Sequence, residues 1–117
     1  MMLSVPSSAR VFVCTRPTDM RKSFDGLSGL VAETFPVDLL SGHLFVFFNR
    51  RRDHVKILAW DRDGLSLWYH RLERGTYEGV SGADGSLEID SRKLSLLLSG
   101  IELSSVRQRK RFSKPDV

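Results

Sequence analysis

Apolar and polar positions alternate in short runs through most of this chain and change to a helical period in two places. Val11 and Val13 alternate with Phe12 and Cys14, which predicts a strand over Arg10–Cys14 with apolar residues on both faces. Arg16-Pro17-Thr18-Asp19 interrupts it. Thr18 or Asp19 would start a helix by accepting an orphan backbone N–H, and the acid complements the positive end of the helix dipole. Met20, Phe24, Leu27, Val31 and Phe35 then recur every three or four residues, the spacing of one apolar helical stripe that Pro36 closes. Gly26 and Gly29 interrupt this stripe at a cost of about 1 kcal/mol each relative to Ala, unless a strand or ligand needs close access to the backbone there.

The middle of the chain is a run of strand patterns. Leu44-Phe45-Val46-Phe47-Phe48 is apolar throughout, as a central strand covered on both sides requires. Asn49 to His54 is a polar turn, Val55–Trp60 resumes as a strand, and Asp61-Arg62-Asp63-Gly64 carries the Asp-Gly hairpin signal before a strand over Leu65–Leu72. These three strands form an antiparallel meander. Gly75 to Ser86 reads as loop, Leu87–Ile89 as a short strand, and Asp90-Ser91 as the cap of a second helix with Leu94, Leu97, Leu98 and Ile101 on one face and Gly100 near its end. The expected fold class is α+β: an antiparallel meander sheet of three to five strands packed against two helices. Residues 10–103 form the single domain, 1–9 a flexible N-terminus and 104–117 a basic, flexible tail.

Length and composition agree with one soluble domain. The chain has 117 residues, 41% hydrophobic and 27% charged, enough to build a core but not a two-domain enzyme. No apolar run approaches the ~20 residues of a membrane span, and no secretory signal is visible at the N-terminus, so a cytoplasmic location is expected. The single cysteine, Cys14, cannot form an internal disulfide.

Charge changes the picture more. The net +4 is distributed as zero over residues 1–40, +3 over 41–75 and +1 over 76–117. Its excess lies in the turn Arg50-Arg51-Arg52 and in the tail Arg107-Gln108-Arg109-Lys110-Arg111-Phe112-Ser113-Lys114. Such local density favours an anionic partner, and an Arg fork matches phosphate oxygens in geometry as well as charge. Basic turns and tails are also commonly just solvated. The aromatic residues Phe45, Phe47, Trp60, Trp68 and Tyr69 on adjacent strands could stack on bases, although sheet aromatics are more often core.

Catalytic arrangements are absent from the pattern. Asp61-x-Asp63, with Glu73, is the nearest approach to a metal-holding carboxylate set, but the two aspartates lie where a hairpin favours Asp for backbone reasons. His43, His54 and His70 have no metal-pair spacing, no Ser or Cys sits in a nucleophile elbow, and Cys14 reads as a small core residue. No metal and no cofactor is expected.

The strings Thr18-Asp19-Met20-Arg21-Lys22-Ser23-Phe24-Asp25-Gly26-Leu27, Ser41-Gly42-His43-Leu44-Phe45-Val46-Phe47, Asn49-Arg50-Arg51-Arg52-Asp53, Trp60-Asp61 with Gly64-Leu65, and Arg71-Leu72-Glu73-x-Gly75 together resemble one family. It is that of the TnpB-type accessory proteins, products of the second open reading frame, of bacterial insertion sequence 66 transposons. The resemblance runs from about Val11 to Ile101. It implies a small protein encoded beside a larger, separate transposase and needed for efficient transposition, with no settled biochemical activity of its own. Where family members commonly read Lys-Arg-Leu-Glu this chain has His70-Arg71-Leu72-Glu73, which removes one permanent charge.

The leading expectation is therefore a non-catalytic accessory factor for DNA transposition. Its DNA-binding residues would be Arg21, Lys22, Arg50, Arg51, Arg52, Lys56 and Arg71, with Arg107, Arg109, Lys110 and Arg111 of the tail, on phosphates at transposon ends or in target DNA. An assembly module docking the transposase or a second copy of itself is the alternative, and a metal-dependent nuclease using Asp61, Asp63 or Glu73 ranks last.

Overall fold

A computed structural model describes residues 5–100. Its elements, in chain order, are β1 (Val11–Cys14), α1 (Phe24–Thr34), β2 (Leu44–Phe48), β3 (His54–Asp61), β4 (Gly64–Arg71), β5 (Ser86–Ile89) and α2 (Ser91–Leu98), with single 3-10 turns at Leu39–Ser41 and Ala83–Gly85. The α+β class and the two helices match the apolar patterning. The sheet has five strands in the order β4-β3-β2-β1-β5.

The sheet is not antiparallel throughout. β2, β3 and β4 are the expected meander, with Phe45 opposite Leu58 and Leu58 opposite Leu67. β1, however, lies parallel to β2, with Phe12 beside Phe45, and antiparallel to β5. The cause is the α1 crossover. A chain that leaves the end of β1, runs back along a helix and re-enters from the starting end can only pair in parallel.

Parallel central strands need cover on both faces, and alternation within β1 and β2 supplies two apolar surfaces. Phe12, Cys14, Phe45, Phe47 and Leu58 face α1, where Leu27, Val31 and Phe35 complete a core dense in aromatic rings. Val11, Val13, Leu44, Val46, Val55 and Ile57 face the opposite way and are covered by Leu94 and Leu97 of α2. The two helices thus sit on opposite faces. Full burial of a Leu or Val side chain contributes about 1.5–3 kcal/mol, so either layer matters to stability.

Tyr77, in the stretch that reads as loop, belongs to this second core. It is 1% exposed and packs 5.3 Å from the Phe48 ring.

The helix ends differ from expectation at one place. Asp90 caps α2 by accepting from the Lys93 N–H at 2.7 Å, and Gly100, at φ 87°, takes the left-handed conformation just beyond it. Thr18 and Asp19 do not cap α1. The helix begins only at Phe24 after Ser23; Thr18 is buried with its N–H on the Phe48 carbonyl, and Asp19 accepts from the Arg21 N–H in a separate turn. The first turn of the apolar stripe is consequently not helix, and Phe24 is 42% exposed. Gly26 does admit a close neighbour, since a Cβ there would meet Cβ and Cγ of Lys22 at 3.2 Å, whereas Gly29 opens on empty space. Ile101 of the second apolar stripe lies outside the described residues, as does the tail.

Candidate nucleic-acid interface

The connection between β2 and β3 is built around Asn49. Its Oδ1 accepts from the N–H groups of Asp53 and His54, both at 3.0 Å, and its Nδ2 donates to the Asp53 carboxylate at 2.6 Å. That hydrogen bond, then the charges of His54 and Arg51, holds the Asp53 carboxyl below its ordinary range. Three consecutive arginines follow from this turn to very different places. Arg50 and Arg51 are exposed and make no side-chain hydrogen bond among the described residues. Arg52, at φ 59°, turns inward: its guanidinium lies 4.6 Å from the Phe48 ring centre and donates to the carbonyls of Tyr77 and Glu78. In return Tyr77 donates its N–H to the Arg52 carbonyl at 2.7 Å.

Strand register decides which other cations share this end of the sheet. β2 and β4 finish here and β3 starts here, with His54 opposite Arg71. β1 also finishes here, so residues 15–22 cross this end on their way to α1, tethered by the Thr18 N–H on Phe48. They bring Arg21 and Lys22, both exposed. Arg21 forms a forked pair with Asp19, 2.7 Å at the shortest, and this hydrogen bonding pulls the Asp19 carboxyl down to about 2. Arg71 is paired with Glu73 at 2.9 Å, both side chains exposed.

Lys56 is placed differently. It is 6% exposed, and its ammonium donates to the carbonyls of Met20 at 2.8 Å and Lys22 at 2.7 Å while lying 4.7 Å from the Tyr69 ring centre. It pins the 20–22 segment to the sheet and presents no charge to solvent. Lys56 and Arg52 therefore leave the set of phosphate contacts read from the sequence. Arg21, Lys22, Arg50, Arg51 and Arg71 remain, gathered at one end of the sheet, and Arg107, Arg109, Lys110 and Arg111 lie outside the described residues. Two cations absent from the sequence reading join them: Arg74, exposed just past Glu73, and Arg16, whose guanidinium lies over Gly85. No run of basic residues signals either one. Only the fold places them at the same end of the sheet.

The opposite end of the sheet has the reverse character. The β3–β4 turn exposes Asp61 and Asp63 with Arg62 between them, and Arg10 is neutralised by Glu88 at 2.8 Å. Asp63 and Glu73 flank the two ends of β4, about 30 Å apart at strand rise, so the three carboxylates cannot hold one metal ion. Among the described residues no group of three His, Cys, Asp or Glu side chains could do so. The histidines have local partners: His43 Nδ1 accepts from the Arg10 N–H at 3.2 Å, His54 Nδ1 is 2.7 Å from the Tyr69 hydroxyl, and His70 stacks on Trp68. Cys14 is buried in the core.

The model of the family described as IS66 Orf2 like protein matches residues 9–108. The chain belongs to that family. This IS66 Orf2 like chain is 38% identical over 101 residues to the uncharacterized protein y4hO of Sinorhizobium fredii, covering 86% of this chain and 88% of the relative. It is 32% identical over 108 residues to the uncharacterized protein y4jC of the same organism, covering 92% of each. No solved structure matches it. Family membership carries a transposition-associated accessory role. No helix among the described residues is long and apolar enough to cross a membrane.

Proposed function

We propose that this chain is a non-catalytic accessory factor for DNA transposition that holds DNA phosphates on the basic end of its sheet. The observation that supports this most is the convergence of Arg21, Lys22, Arg50, Arg51 and Arg71, from three separate segments, on one end of a sheet whose other end exposes Asp61 and Asp63. Scattered solvated charges have no reason to segregate in this way. The side chains that meet DNA contact phosphates, so binding is steeply salt-dependent with little sequence preference.

The test is duplex binding as a function of salt for the full chain and for the Arg50→Ala/Arg51→Ala double variant. Each lost phosphate contact reduces the slope of log affinity against log salt by roughly 0.9. An unchanged slope removes the turn from the interface.

A second reading rests on β4. It is an edge strand of eight residues with no strand beyond it among the described residues, and such an edge can pair with the transposase or with another copy of this chain. Co-purification with the transposase from nuclease-treated, high-salt extract separates that role from DNA bridging.

A further inference from the structure

We propose that Tyr69 is a stacking platform for an unpaired base, so that the basic end of the sheet takes single-stranded DNA in preference to duplex. This rests on the DNA-binding reading above and names the form of DNA the site prefers.

Five strand aromatics are candidates for stacking, and the fold removes four of them. Phe45 and Phe47 are wholly buried, and Trp60 and Trp68 are partly covered. Tyr69 alone is half-exposed, at 50%. It stands on the α1 face of β4, between the cross-strand neighbours Lys56 and, one pair further along the same face, His54 and Arg71. Because β4 is an edge, no further strand among the described residues obstructs a flat ring arriving from outside.

The ring is also held in place before any ligand arrives. Its hydroxyl is 2.7 Å from His54 Nδ1, and the Lys56 ammonium lies over it from the protein side, fixed in turn by two carbonyls. An exposed aromatic on the surface of a protein ordinarily loses side-chain freedom when it binds; here that loss has already occurred on folding. Beside it is an open recess of about 340 Å³ lined by His54, Tyr69, Arg71 and Glu73. Arg71, two residues along the strand and about 7 Å away, is within reach of the phosphate of a nucleotide whose base lies on Tyr69. In a duplex the bases are already stacked and paired, and a base must be unstacked before it can reach a protein ring.

The test compares a short single-stranded oligodeoxynucleotide carrying one 2-aminopurine with its blunt duplex at low salt, using the full chain. The single strand should bind roughly tenfold more tightly, with a change in 2-aminopurine emission that reports stacking. Tyr69→Ala should abolish the emission change and the preference while leaving duplex binding as it was. Tyr69→Phe, which keeps the ring and loses only the hydroxyl, should retain both. Equal affinity for the two DNAs, or a Tyr69→Ala variant that binds the single strand as well as the parent does, overturns the stacking proposal while leaving salt-dependent phosphate binding intact. Absence of binding to either DNA overturns both.

Discussion

The guanidinium of Arg52 lies 4.6 Å from the centre of the Phe48 ring and donates to the Tyr77 and Glu78 carbonyls, so the third arginine of the triplet is a strut between a hairpin and a loop. Its two neighbours in sequence face solvent. Arg52→Ala should therefore lower stability by about 1.5–3 kcal/mol, the range for losing charge-assisted hydrogen bonds. Arg50→Ala and Arg51→Ala should each stay within about 0.5 kcal/mol of the parent. Urea denaturation of the three variants checks this, and equal destabilisation by all three would contradict the division of roles.

Lys56→Met keeps the apolar stem and removes the ammonium that satisfies the carbonyls of Met20 and Lys22. The expected cost is about 1–3 kcal/mol. Hydrogen exchange should show the largest loss of protection between Thr18 and Phe24, where the crossing segment is pinned. A loss confined to β3 would mean the lysine supports its own strand only.

Stability should depend on pH through Asp19. Its carboxyl titrates at about 2 in the folded chain against 3.8 ordinarily, because Arg21 hydrogen bonds to it from both side chain and backbone. A depressed carboxylate stabilises the fold fully above its unfolded pKa, and that contribution fades as pH falls through the folded value. The window is thus from about pH 4 down to about pH 2. The group is solvent-exposed, so the effect is small and weakens with added salt. Following the Asp19 carboxyl by NMR should show the low midpoint, and Arg21→Ala should return it towards the ordinary range.

Gly29 sits in the interior of α1, and a Cβ there would meet nothing within 4 Å. Gly29→Ala should raise stability by roughly 0.4–1 kcal/mol through helix propensity and a less flexible unfolded chain. At Gly26 the same change presses on Lys22 at 3.2 Å, so the gain should be smaller. Thermal denaturation of the pair tests whether the two glycines differ as their surroundings do.

Leu94 is fully buried beneath α2. Leu94→Ala should cost about 2–5 kcal/mol, and Asp90→Ala, which removes only the cap of the same helix, about 1 kcal/mol. Chemical denaturation of both variants measures whether α2 is held chiefly by its buried face.

Local physics was legible along the chain. The alternation of Val11 and Val13 with Phe12 and Cys14 determined which side chains face which way. The unbroken apolar run Leu44–Phe48 determined a strand covered on both sides, and Asp90 with Gly100 bounded the second helix. Each depends on a few neighbouring residues, so a short window of sequence contains the whole cause. Long-range placement was not legible. The parallel pairing of β1 with β2, the burial of Tyr77 and the failure of Thr18, whose N–H is held by the Phe48 carbonyl, to cap α1 all follow from where a distant segment comes to lie. The basic site divides along the same line. Sequence identified Arg50 and Arg51 through their density. Only tertiary structure turned Arg52 and Lys56 inward, because each donates to backbone carbonyls of a segment distant in sequence, and only strand register brought Arg21 and Arg71 to the same end as the turn. Charge is a property of composition, but its availability to a partner depends on which groups the fold has already engaged.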